Sequence, residues 1–283
     1  MKKFPKWIAL SEEVRNAVEN QLPIVALESS VWCQGLPRPF NLETAQEMES
    51  QVRLAGAIPA LTWLENGVAH IGATQEQLEE LCAAEDVAKV GSGDLAGELA
   101  KGGRGATTVS GTLVLADRVG IGVFATGGIG GVHRGWAKQL DVSADLMQLT
   151  RTRCTTVCSG AKSVLDISTT LEKLESLAVP LVLYRTATFP EFYNSGKESP
   201  FGIRCEEPTD IAKVIHLSLD LHNQAPLVAQ CIPQEYSTAQ DKLEAWVEEG
   251  LKKAEKDGVE GKAVTPFLLS HIAEASGGQT LDA

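Results

Sequence analysis

The chain lacks the marks of several large functional classes. Its 6 cysteines (Cys33, Cys82, Cys154, Cys158, Cys205 and Cys231) contain no Cys-x-x-Cys pair and no zinc-ligand spacing. Neither a zinc module nor a dithiol redox motif is therefore expected. Cys154 and Cys158 read as buried thiols on one face of a strand, and the whole set fits a reducing compartment. Positive charge is also scarce: 25 Lys and Arg stand against 37 Asp and Glu, for a net charge of −12. Such a field repels phosphate backbones and argues against nucleic acid as a partner. A single phosphorylated metabolite remains compatible, because a few local cations or backbone N–H groups suffice to hold it.

Long apolar runs are missing too. Nothing approaches the ~20 residues of a membrane span, and the basic start Met-Lys-Lys-Phe-Pro-Lys carries too brief an apolar stretch for a secretory signal. The expectation is a cytoplasmic protein with no membrane partner. There is no Gly-Lys-Ser/Thr phosphate loop, no Gly-x-Gly-x-x-Gly frame, no internal repeat, no low-complexity tract and no obvious linker.

What is present is an ordinary globular composition, 43% hydrophobic over 283 residues, enough for one large α/β domain or two small ones. Short β-branched runs alternate with amphipathic segments. Ile24–Leu27 reads as a buried strand ending at Glu28, and Asn41 as the N-cap of a helix with Leu42, Ala45, Met48 and Val52 on one face. Asn66-Gly67 between Ile58–Leu64 and Val68–Ile71 signals a hairpin. Helices are expected at Gln75–Ala84, Thr107–Val119, Thr238–Lys256 and after Pro266. Strands are expected at Ile121–Ala125, Cys154–Cys158, Pro180–Tyr184 and Leu227–Ile232, and Asn194–Pro208 reads as a surface loop or lid. This order predicts a mainly parallel sheet covered on both faces, with ligands beyond the carboxyl ends of its strands.

Four segments could carry chemistry there. Lys162, in Ser-Gly-Ala-Lys-Ser, is placed one or two residues inside a helix following a buried strand. The helix dipole and partial burial would disfavour an ammonium and favour an amine able to attack a carbonyl carbon; a solvated lysine or passive phosphate ligand is the alternative. Glu28, closing a buried strand near Trp32, suits a general acid, or else a carboxylate satisfied by its own turn. The run Thr126-Gly-Gly-Ile-Gly-Gly-Val-His-Arg-Gly135 could bring backbone N–H groups to an anion, with His133 and Arg134 alongside. Lys89 and Lys101-Gly-Gly-Arg104 have the same reading, or are surface charge. Asp141-Val-Ser-Ala-Asp145 offers two hard carboxylates to a Mg²⁺- or Mn²⁺-type ion, although N-capping by Asp141 or Ser143 explains it as well.

Taken together, the segments resemble the pseudouridine-5′-phosphate glycosidase, or indigoidine synthase A-like, family. The resemblance rests on Val25-Ala-Leu-Glu-Ser-Ser, Gly35-Leu-Pro, Asn41-Leu-Glu-Thr-Ala, Gly56-Ala-Ile-Pro-Ala and Ala106-Thr-Thr-Val. It continues through Phe124–Gly135, Asp141-Val-Ser-Ala-Asp-Leu, Ser159-Gly-Ala-Lys-Ser-Val-Leu-Asp, Phe189-Pro-Glu-Phe-Tyr and Gly261-Lys-Ala-Val-Thr-Pro-Phe-Leu-Leu. These blocks are colinear, which makes them far more specific than a glycine loop alone. The resemblance implies a three-layer α/β/α fold with a mainly parallel central sheet, occupying 1–283 as one domain, and assembly as a homotrimer. It implies reversible cleavage of the C–C glycosidic bond of pseudouridine 5′-phosphate to ribose 5-phosphate and uracil. Lys162 would be the nucleophile, forming a Schiff-base-type adduct with C1′, and Glu28 the proton donor. Asp141 would hold a divalent metal, usually Mn²⁺, one ion per subunit. Lys89, Val109, Ser143, Ala144 and Asp145 match substrate contacts, and His133 is placed near the phosphate.

Three departures accompany it. Gln34 stands where many relatives have histidine, and Val90-Gly-Ser-Gly-Asp94 lacks basic residues that many carry. Relatives also continue past residue 283 into an Ala-Asn-Ile segment and a final helix, which this chain is expected to lack. A Schiff-base lyase or aldolase acting on another sugar phosphate, and a non-catalytic family member, are the competing expectations.

Overall fold

The structure, a computed structural model, describes residues 3–136, 140–259 and 261–281. Met1-Lys2 and Asp282-Ala283, which belong to the terminal segments discussed for the sequence, lie outside the described residues. The chain folds as two compact units: Met1–Thr126 with Arg151–Thr156 and Asn223–Ala225, and Gly127–Thr150 with Val157–His222 and Pro226–Ala283.

The first unit begins β1 (Ile8–Leu10), α1 (Glu12–Glu19), β2 (Ile24–Glu28), α2 (Phe40–Leu54), β3 (Ile58–Glu65) and β4 (Val68–Ile71). It continues with α3 (Gln75–Ala83), β5 (Ala88–Val90), α4 (Leu95–Lys101), β6 (Gly105–Thr107), α5 (Val109–Val119) and β7 (Val123–Ala125). Its strands run in the order β1-β4-β3-β2-β7, with β6 also on β3 and β5 on β6. The β1–β4, β2–β3, β2–β7 and β5–β6 pairs are parallel, whereas β3–β4 and β3–β6 are antiparallel. The antiparallel hairpin is the one announced by Asn66-Gly67: their φ of 52° and 76° is the double left-handed turn such a pair permits. Ser11 caps α1, and Thr74 with Gln77 forms a capping box on α3.

The face of α2 expected to be apolar is apolar. Leu42, Met48 and Val52 pack with buried Ala45 against a core of Leu27, Trp32, Leu61, Trp63, Leu78, Leu81 and Cys82. Removing a Leu side chain from such a cluster typically costs about 2–5 kcal/mol.

The second unit carries α6 (Ala144–Leu149), α7 (Ile167–Ser176), β9 (Leu181–Tyr184), β10 (Thr188–Phe189), β11 (Lys197–Glu198) and β12 (Ile203–Cys205). After these come α8 (Pro208–His222), β13 (Leu227–Ala229), α9 (Gln240–Lys256) and α10 (Val264–Ala275); β8 (Thr155–Cys158) has residues in both units. Here β9 pairs β12 and β13 in parallel, and β10–β11 form a separate antiparallel pair. Ile211 and Val214 of α8 pack on Val182, Cys205 and Val228. The α/β class with a mainly parallel sheet is thus as the alternation of runs predicts.

Several local expectations are corrected. Asn41 is not an N-cap: it lies inside α2, buried, and its amide donates to the Trp32 and Cys82 carbonyls. The polar side chain links the helix to two other segments instead of ending its own backbone. Thr107 belongs to β6, and the helix begins at Val109. Asn194–Pro208 contains two short strands, β11 and β12, and is not one plain loop. Among the described residues no helix is long and apolar enough to cross a membrane. All six cysteines are free. Burial pushes the Cys33 and Cys158 thiols up to about 12 and Cys82 to about 11, so these behave as packing groups rather than thiolates.

Candidate active site

In the first unit, Glu28 closes β2, a strand flanked on both sides by parallel partners. Interior sheet positions shed water, and the residue is 5% exposed. Both carboxyl oxygens are engaged: Ser30 Oγ donates to Oε2 at 2.8 Å, and Thr126 Oγ1 makes a short bond to Oε1. The sequence suggests apolar Trp32 or the turn's own N–H groups as partners; hydroxyls from Ser30 and from the end of β7 take that place. Thr126 is legible in sequence only as the head of a glycine loop. Its role depends on the β2–β7 pairing, which carries no local sequence signal.

Lys89 lies in β5, and register places it beside Ala106 of β6, with Thr108 N–H donating to the Val90 carbonyl at 2.9 Å. This brings Lys89 close to the start of α5, where Val109 is buried. The adjoining turn is ordered by Asp94, which accepts from Gly91 N–H at 3.0 Å, and by Ser110 Oγ, which accepts from Ser92 N–H at 3.1 Å. Thr108 provides no side-chain cap at the start of this helix. Arg104 pairs with Glu65 and Lys101 with Glu98, which favours the surface-charge reading for that pair. Gln34 donates to the Val87 carbonyl at 2.7 Å.

In the second unit, Lys162 is not where the periodicity predicts. α7 starts only at Ile167, capped by Asp166, so Lys162 sits in the preceding irregular segment and the helix-dipole argument does not apply to it. Its backbone is held instead by the glycine loop. Lys162 N–H donates to the Ile129 carbonyl at 3.1 Å, Ile129 N–H to Gly160 at 2.9 Å, and Ser159 N–H to Gly127 at 2.9 Å. Leu165 N–H closes a turn on the Lys162 carbonyl at 3.0 Å, and Asp166 N–H reaches Val132 at 2.9 Å.

The glycines themselves serve this lacing. A Cβ on Gly130 would stand 2.4 Å from Ser143 Oγ and 2.7 Å from Asp145 Oδ2. One on Gly160 would meet the Pro190 carbonyl oxygen at 1.8 Å. The close approach that glycine permits here is protein on protein.

The acidic segment divides. Asp145 is 5% exposed and accepts from Gly130 N–H at 2.9 Å. Ser143 caps α6 by accepting from Asp145 N–H at 3.2 Å, and its own N–H donates to Gly131 at 2.9 Å; Ala144 is the first residue of that helix. Asp141 keeps a part-exposed carboxylate, with His133 Nδ1 3.7 Å from Oδ2 and His133 N–H on the Asp141 carbonyl at 3.0 Å. No group of three or more His, Cys, Asp or Glu able to hold a metal is found among the described residues. Arg134 is engaged by Glu244 rather than open to a phosphate, and it holds the Glu244 carboxyl below the usual carboxylate range. The fold therefore brings Lys162, the glycine loop, His133, Asp141, Ser143, Ala144 and Asp145 into one hydrogen-bonded neighbourhood.

The sequence profile of the family described as "Indigoidine synthase A like protein" matches residues 13–283. The chain belongs to the indigoidine synthase A-like family. It is 43% identical over 279 residues to a pseudouridine-5′-phosphate glycosidase of Caldanaerobacter subterraneus subsp. tengcongensis, covering 98% of this chain and 91% of that protein. It is 41% identical over 285 residues to a protein of the same name from Escherichia coli K12, covering 99% and 91%. Among solved structures it is similar to the prealnumycin C-glycosynthase AlnA in complex with ribulose 5-phosphate, at 36% identity and TM-score 0.87, covering 98% and 90%. An indigoidine synthase A-like protein of Thermotoga maritima is similar at 33% identity and TM-score 0.88, covering 100% and 92%.

Proposed function

We propose that the chain is a pseudouridine-5′-phosphate glycosidase, which reversibly splits the C–C glycosidic bond of its substrate into ribose 5-phosphate and uracil. The observation that carries this is the near full-length identity to proteins of that name, 43% across 98% of the chain. AlnA, a C-glycosynthase bound to a pentose phosphate, supports the same bond type and a phosphosugar ligand.

A carbon-linked base offers no leaving oxygen to protonate, so the reaction needs an electron sink on the sugar. In this reading the Lys162 amine adds at C1′ and displaces the ring oxygen, which takes a proton. The C1′–C5 bond then breaks, its electron pair passing to the uracil carbon as that carbon is protonated, while the nitrogen lone pair forms the iminium. Water adds to the iminium, restoring the amine and giving the open aldehyde form of ribose 5-phosphate. Glu28 is the proton donor, and its two hydroxyl donors fix the rotamer it would use. Lys89 and the uncapped start of α5 at Val109 suit a phosphate oxygen. Ser143, Ala144, Asp145 and His133 form the second group of substrate contacts.

A Mn²⁺-type ion belongs to the proposal. The donor set suits a hard cation that keeps most of its water: one part-exposed carboxylate, Asp141, with no closed cage around it among the described residues. Asp141 would hold the ion, which would supply charge neutralisation to substrate oxygens. Assembly as a homotrimer, from the family resemblance, and a cytoplasmic setting, from the free thiols, complete the reading.

The test is uracil release from pseudouridine 5′-phosphate with Mn²⁺ present. Release supports the glycosidase. Turnover of another sugar phosphate in its absence points to a lyase or aldolase, and no turnover with any pentose phosphate points to a non-catalytic member.

A further inference from the structure

Arg134 lies directly after His133 in the glycine loop, yet its guanidinium is committed to the protein. Nε donates to the Leu165 carbonyl and Nη2 to the Ser163 carbonyl, both at 3.3 Å. Nη1 and Nη2 then form a two-pronged bond to Glu244 of α9, at 2.7 and 3.1 Å. The two carbonyls it holds belong to the segment just after Lys162. A planar fork can grip two carbonyls and a carboxylate at once; an ammonium cannot reproduce that geometry.

The same segment is gripped from its other side. Ser163 Oγ donates to the Glu191 carbonyl, and Tyr193 N–H to Ser163 Oγ at 3.4 Å. Gln240, one helical turn before Glu244, donates to Glu191 Oε2 at 3.1 Å and to Glu244 Oε1 at 3.2 Å. Asn194 Nδ2 in turn donates to Gln240 Oε1 at 2.7 Å. Lys162 itself is held through its backbone, to Ile129 before it and Leu165 after it. Its position thus depends on neighbours whose carbonyls end at Arg134 and, through Arg134, on a helix distant in sequence.

We propose that Arg134 and Glu244 are positioning residues for the Lys162 amine: the pair clamps the Ser163–Leu165 backbone to α9 and sets where the nucleophile stands. This rests on the reading of Lys162 as nucleophile. Neither side chain is assigned a contact with substrate. Small displacements of a reacting group cost rate far more than affinity, so the expected signature lies in the chemical step.

The experiment compares wild type with Arg134→Lys, which keeps the positive charge but not the planar fork, and Glu244→Gln, which keeps side-chain size but not the charge. Single-turnover uracil release, KM for pseudouridine 5′-phosphate, borohydride trapping of the Lys162 adduct with ribose 5-phosphate, and Tm are measured on each full chain. The expected result is a single-turnover rate lower by about 10- to 100-fold, trapping slowed in parallel, and KM within about threefold of wild type. Single-turnover rates within about twofold of wild type, or a loss expressed in KM alone, would overturn the positioning role. If either variant unfolds, the other decides the matter, and Gln240→Ala, which loosens the clamp without touching Arg134, is expected to give a smaller fall of the same kind. A wild-type chain that neither releases uracil nor traps a Lys162 adduct sinks the glycosidase reading and the positioning claim with it. An active wild type with unaltered variants sinks the positioning claim alone.

Discussion

Glu28 and Lys162 reach their places by opposite routes. Glu28 ends a regular strand with parallel neighbours on both sides, so ladder hydrogen bonds set its backbone and two hydroxyls set its side chain. Lys162 stands in a segment with no regular structure, laced to a glycine loop by single backbone bonds and buttressed by Arg134. The first arrangement distributes its constraints over a sheet; the second concentrates them in a few contacts. Substitutions around Lys162 should therefore disturb function with little change in stability, and those around the core of the first unit should do the reverse.

Lys162→Ala is expected to have the largest effect, lowering uracil release by more than about 10⁴-fold with Tm little changed, since removing a covalent nucleophile removes the whole step. Near-normal turnover would remove Lys162 from the mechanism. Glu28→Gln keeps one carbonyl for a hydroxyl donor but loses the transferable proton, and a fall of roughly 10²–10⁴-fold in kcat with retained binding is expected. A variant impaired only in KM would make Glu28 a binding group.

Gly130→Ala should sharpen the contrast further. Its Cβ would press on Ser143 Oγ and Asp145 Oδ2, and overpacking of this kind costs about 1–3 kcal/mol. Because the contact lies within the glycine-loop neighbourhood, activity should fall more than the modest drop in Tm explains; proportionate losses would break the distinction between the two regions. Asp141→Asn is expected to weaken activation by Mn²⁺, read as a higher metal concentration at half-activity. An unchanged titration would take Asp141 out of the metal site. The smallest effect on catalysis is expected for Asn41→Ala. It strips a donor from the Trp32 and Cys82 carbonyls, costing about 1–3 kcal/mol of stability while leaving the rate per folded molecule near wild type.

The same contrast explains what the sequence can disclose. Ile24–Glu28, the Asn66-Gly67 hairpin and the apolar face of α2 are legible because hydropathy period and turn chemistry are local. Lys162 can be singled out, but its setting cannot. Gly-Ala-Lys-Ser after a strand resembles a helix start, whereas Asp166, with its acceptor on Thr169 N–H, caps the helix later. The anion-binding reading of the glycines leaves out their packing use for a related reason. Composition reports that backbone can be approached closely, and only tertiary structure reveals that Ser143, Asp145 and Pro190 do the approaching. Arg134 draws notice as a cation beside the glycines, yet its partner is Glu244, 110 residues on. Thr126 and Glu244 carry no local signal for the bonds they make, because their partners, Glu28 and Arg134, stand 98 and 110 residues away in sequence.

The central claim is that Lys162 forms a covalent adduct with the sugar. It is tested most directly by incubating the full chain with ribose 5-phosphate, reducing with borohydride, and mapping the mass increase to a peptide. The account predicts one pentose phosphate adduct, on the peptide carrying Lys162, lost in Lys162→Ala and retained in Glu28→Gln. An adduct on another lysine, or uracil release by a chain that never traps sugar on Lys162, would contradict it.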